Sequence, residues 1–166
     1  MEQLEEPHRI MNFSTKGVVR YNPDRGTLKA GNDNWVVIES LEDELSDYYR
    51  HQFLKRYGIQ LEKPSWSPHI SVIKGWPLET ERPWGWRDGE VVDFEYSHQM
   101  FWKKHFVWVN TKCPVMYEIQ EYYGFNRIER GHLTIGRIPS RNLNDMPRFC
   151  DYKDLDLWSS QVRTPF

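Results

Sequence analysis

The sequence predicts an α+β fold of two lobes related by a pseudo-twofold axis, each lobe a small sheet with one helix on its face. Two observations carry this. The first is a pair of short segments, His69-Ile70-Ser71-Val72 and His132-Leu133-Thr134-Ile135, which both spell histidine, apolar, hydroxyl, apolar. The second is that each segment closes the same series: an apolar strand, a helix ending in Tyr-Gly, a connecting loop, then the histidine strand. Residues 35–73 thus mirror residues 106–138. A parallel strand pair needs a crossover, usually a helix packed on one sheet face, so each half reads as a strand-helix-strand unit.

Taken in order, residues 1–12 are acidic and lack an apolar stretch, so they read as a flexible lead rather than a signal or transit peptide. A hairpin follows, GVVRY then TLKA, joined by the turn-rich run Asn22-Pro23-Asp24-Arg25-Gly26. Trp35-Val36-Val37-Ile38 is a compact apolar strand. Ser40-Leu41-Glu42-Asp43 looks like a helix start, with Leu41, Leu45, Tyr49, Phe53 and Tyr57 recurring every four residues until Gly58 stops the helix.

A loop holding Pro64 and Pro68 leads into the first histidine strand, and residues 77–89, with Pro83, Trp84 and Trp86, form an irregular excursion. Two strands are expected next, at about residues 90–96 and 100–110. Pro114 opens a second helix with an apolar stripe at Val115, Ile119 and Tyr122, and Gly124 ends it before the second histidine strand. Residues 13–166 are read as one domain, with 139–166 as a C-terminal tail or lid.

Composition narrows the functional classes. The chain of 166 residues is long enough to bury a core without disulfides or metal. Its formal net charge of −2, from 22 basic and 24 acidic side chains, lacks the basic excess expected of a non-specific binder of long nucleic acid. A small anionic ligand stays open. Aromatic residues make up 15%, enough to fill a core and also to offer stacking platforms. The two cysteines, Cys113 and Cys150, have no CxxC spacing, which fits a reducing cytoplasm better than secretion. No apolar run long enough for a membrane span occurs.

Side chains alternate between faces along a strand, so His69 shares a face with Ser71, and His132 with Thr134, while the aliphatic residues take the other. A lone histidine beside a hydroxyl most often serves a structural hydrogen bond. A duplicated pair meeting across a pseudo-twofold axis suits chemistry instead. Histidine's pKa of about 6.5 lets one imidazole act as base and the other as acid. Phosphodiester cleavage needs both, and Ser71 and Thr134 can donate to the non-bridging oxygens. No carboxylate cluster with metal-ligand spacing lies beside either histidine, so neither metal nor cofactor is expected. No G-x-S-x-G elbow is present, which speaks against a serine hydrolase.

The two motifs resemble the paired HxS/T signatures of the 2H phosphoesterase superfamily, and the duplicated halves are similar to its bilobal, LigT-like fold with an active-site cleft between the lobes. The run from Ser14-Thr15-Lys16-Gly17 through Tyr21, Gly26-Thr27-Leu28-Lys29-Ala30, Trp35 and His69 to Gly75 is similar to the phage anti-CBASS phosphodiesterases of that superfamily. That resemblance implies cleavage, without metal, of 3′-5′ bonds in cyclic di- and trinucleotide immune signals in the cytoplasm of an infected bacterium. It implies that His69 and His132 share the acid and base roles, with the order open. From the charge balance and the missing apolar run no long nucleic acid and no membrane is expected as a partner, and no obligate protein partner is predicted.

Tyr21, Trp76 and Trp158 are candidates for stacking on a base, each of which is worth roughly 1 to 3 kcal/mol. Lys74 and Arg137 each follow a motif histidine by five residues and are candidates to neutralise phosphate. Two other readings keep the same residues: a 2′,3′-cyclic phosphodiesterase acting on RNA ends, and a non-catalytic protein that sequesters cyclic nucleotides.

Overall fold

The computed structural model describes residues 11–23, 34–74, 81–125 and 131–146. The chain runs β1 (Phe13–Tyr21), β2 (Trp35–Ser40), α1 (Glu44–Tyr57), β3 (His69–Lys74), β4 (Val91–Lys103), β5 (Phe106–Lys112), α2 (Pro114–Tyr122) and β6 (Gly131–Arg137), followed by a 3₁₀ turn at Ser140–Asp145. The series strand, strand, helix, strand therefore occurs twice. The duplication extends beyond the residues in which the sequence shows it, because β1 and β4 are also counterparts.

The strands close into one antiparallel barrel in the order β1-β2-β3-β6-β5-β4. This corrects the expectation of two separate sheet lobes, and of parallel pairs within them. Each half contributes three consecutive strands. The halves meet at two seams, β1 against β4 and β3 against β6. The pairing turned out antiparallel because the loop after α1 carries the chain back to the end of β2. Ser40 N donates to Pro68 O at 2.9 Å, and Glu39 lies opposite His69.

The seam that matters for the site is β3 against β6, registered only at Ile70 opposite Leu133. Both side chains are fully buried. Ile70, Val72, Leu133 and Ile135 pack in one core with Leu45, Tyr49 and Phe53 of α1 and Met116 and Ile119 of α2. Each helix crosses to the other half: α1 lies against β6 and α2 against β3.

Local differences from the sequence reading have local causes. Ser40 ends β2 and its Oγ accepts from Glu42 N, so α1 starts at Glu44 and Leu41 is left exposed. Leu45, Tyr49 and Phe53 are buried as the spacing requires, and Gly58 caps the helix with φ 70°. The expected strand 100–110 is the tip of a hairpin, with Lys104 at φ 54° carrying the turn between β4 and β5. Of the expected N-terminal hairpin, TLKA lies outside the described residues, and β1 pairs with β2 and β4. Asn12 fastens the end of the N-terminal lead to β4: its N donates to Tyr96 O at 3.1 Å. Among the described residues, no helix is long and apolar enough to cross a membrane.

Candidate active site

Extending the Ile70–Leu133 register by one residue on each side sets His69 opposite Thr134 and Ser71 opposite His132. The two imidazoles are then diagonal neighbours, with Cα atoms roughly 7 to 8 Å apart in an antiparallel sheet. All four side chains line one cavity of about 360 Å³, together with Trp35, Lys63, Trp66, Lys74, Phe106 and Arg137. That volume falls among small-molecule sites, about 300 to 1,000 Å³.

His69 is fixed on three sides. Its Nδ1 lies 2.7 Å from Ser67 O, an acceptor only, so Nδ1 carries a proton and the ring is held in one orientation. Trp66 and Trp35 flank the ring, with centroids 4.5 and 5.1 Å away. His132 is half-buried, like His69, and lies against the buried Trp108, whose ring is 6.0 Å away. Burial first, and the nearby charge of His69 second, push its pKa down from 6.5 to about 4. His132 is therefore held neutral at physiological pH, while the Nδ1 of His69 is engaged by the Ser67 carbonyl.

Among the described residues the cavity lining holds the cations Lys63, Lys74 and Arg137 and no carboxylate. Strict alternation would send Lys74 and Arg137, at an odd spacing from their histidines, to the opposite face. Each strand avoids this with one extra residue. Val37 and Val36 pair with Ser71 and Ile73, which skips Val72. Trp108 and Val107 pair with Thr134 and Gly136, which skips Ile135. These two β-bulges turn the following cation back onto the histidine face.

The wall of the cavity comes from residues 63–67, anchored by a bridge in which Glu62 N donates to Arg137 O at 2.8 Å and Arg137 N to Glu62 O at 3.0 Å. Gly136 permits that approach, since a Cβ there would meet Glu62 O at 2.9 Å.

Of the residues read from the sequence, His69, Ser71, His132, Thr134, Lys74 and Arg137 come together. Tyr21 does not line the cavity. Its hydroxyl donates to Trp86 O at 2.6 Å and its ring packs on Trp84, so it belongs to an aromatic cluster elsewhere on the barrel. Trp76 and Trp158 lie outside the described residues. Trp66 and Lys63 were missed; their only sequence signal is the Pro64–Pro68 loop that runs directly into His69. Cys113 is buried, and burial pushes its thiol pKa up, which suits packing rather than nucleophilic attack. Among the described residues no group of three or more histidine, cysteine or carboxylate side chains converges to hold a metal ion.

Comparison with known proteins returns no matching family model, no matching curated protein and no matching solved structure.

Proposed function

We propose that this chain is a 2H-type phosphodiesterase that cleaves 3′-5′ bonds of cyclic di- and trinucleotides by proton transfer alone. The observation that carries the reading is the convergence of two histidines, one of them held neutral by burial, with two hydroxyls and three cations in one cavity whose lining, among the described residues, holds no carboxylate. A phosphoryl group between the imidazoles would accept hydrogen bonds from Ser71 and Thr134, and Lys74 and Arg137 would offset its charge.

In the proposed reaction a base takes the proton of the ribose 2′-hydroxyl, whose oxygen attacks the adjacent phosphorus. The P–O5′ bond breaks, an acid protonates the departing O5′, and the phosphorus is left as a 2′,3′-cyclic phosphate. The neutral state of His132 supports it as the base, and the Ser67 carbonyl behind His69 supports that residue as the acid. The likeness of the sequence to phage anti-CBASS enzymes supports cyclic nucleotide immune signals as the substrate, met in the cytoplasm of an infected bacterium.

The test is to incubate the chain with 3′,3′-cGAMP in EDTA and resolve the products by ion exchange. Linear product is expected, with His69→Ala and His132→Ala each slower by about 10²- to 10⁴-fold. Intact nucleotide with the folded wild type overturns the proposed substrate. Cleavage of 2′,3′-cyclic phosphate ends in its place would move the reading to RNA-end processing, and tight binding without cleavage to sequestration.

A further inference from the structure

We propose that Arg50 and Gln120 are positioning residues of the cleft, each holding the β-bulge of the opposite half and so keeping Lys74 and Arg137 on the histidine face. The inference rests on reading the cleft as a phosphate site. A bulge leaves its extra residue without a ladder partner. A buried carbonyl left unsatisfied there would favour the regular register, in which the cations point away.

Both bulge carbonyls are satisfied from across the pseudo-twofold axis. Gln120 of α2 donates from Nε2 to Val72 O at 2.9 Å, and Arg50 of α1 donates from Nη1 to Ile135 O at 2.7 Å. Val72 and Ile135 are each the third residue after a motif histidine. Both donors are buried, Gln120 at 1% and Arg50 at 7% exposure. Arg50 also pairs with Asp47 on its own helix, which orients the guanidinium.

The two donors are chemically different and stand at different heights on their helices: Arg50 is eight residues before Gly58, and Gln120 four before Gly124. The halves thus share the hydrogen bond and not the residue. Because each donor belongs to the half opposite its acceptor, the two bonds also tie each histidine strand to the helix of the other half, beside a seam registered at one residue pair.

The test titrates the full chain with inorganic pyrophosphate and follows the His69 and His132 Cε1–H resonances. Gln120→Met and Arg50→Met are expected to weaken binding about tenfold. Each loss should largely vanish in a background that already lacks the cation it positions: Gln120→Met should cost less than about twofold on Lys74→Ala, and Arg50→Met likewise on Arg137→Ala. Arg50→Lys, which keeps one donor, should bind within about threefold of wild type. Wild-type affinity in the folded methionine variants, or losses that simply multiply with those of Lys74→Ala and Arg137→Ala, would overturn the proposal.

If the methionine variants do not fold, the wild type decides. Linkage requires pyrophosphate to slow proton exchange of the Gln120 amide and the Arg50 guanidinium. Unchanged exchange overturns the proposal. Pyrophosphate binding is scored without cleavage, so failure to cleave cyclic nucleotides would overturn the substrate and not the positioning roles.

Discussion

At the scale of single residues, His132 sets the pH behaviour. Its folded pKa of about 4 lies below the unfolded value of 6.5, so the unfolded chain binds the extra proton first. The contribution to stability is complete above about pH 6.5 and is lost as pH falls from 6.5 toward 4. Its size is on the order of 1 to 3 kcal/mol. Urea unfolding at pH 7 and pH 4.5 should show a loss in the wild type that His132→Gln lacks. Ser71→Ala and Thr134→Val should each lower kcat about 10- to 100-fold with little change in KM, measured on the cyclic dinucleotide, if their hydroxyls act mainly on the transition state. The motif residues were legible because alternation on a strand is a rule of geometry. Trp66 was not, because nothing in a loop sequence says which way it folds back, and here that depends on the Glu62–Arg137 bridge.

At the scale of elements, the bulges explain a spacing that sequence could register but not interpret. Five residues from histidine to cation is an odd number, and only an extra residue per strand makes it work. No residue type marks that insertion: Val72 and Ile135 look like any strand aliphatics. The buried stripe of α1 was readable at Leu45, Tyr49 and Phe53, whereas Gln120 on the buried face of α2 breaks the apolar pattern, because its role is set by a carbonyl on another strand. Gly136 follows one bulge and admits the cavity wall. Gly136→Ala should destabilise the fold by about 1 to 3 kcal/mol in urea and displace residues 62–67, seen as loss of the Trp66–His69 contact by NMR.

At the scale of the molecule, the duplication was legible and the closure was not. Sequence patterns report which residues share a face, while strand order and direction depend on where loops return the chain, as Ser40 and Pro68 show. Ile70 and Leu133 join the halves at the cleft seam. Each truncated to alanine should cost about 2 to 5 kcal/mol of unfolding free energy, and the double variant should fall short of the sum by at least about 0.5 kcal/mol, since one cavity replaces two.

Closure around six strands also bears on how the protein would spoil. Among the described residues every strand has a neighbour on both sides, so the folded barrel offers another chain little unpaired strand edge to extend, and most of it lies along the β3–β6 seam. A full edge is exposed when a ladder ruptures, and the shortest ladder is the one beneath the histidines. Aggregation is therefore expected to begin at the cleft itself, and an anion bridging β3 and β6 would act as a storage stabiliser by keeping that rupture from opening.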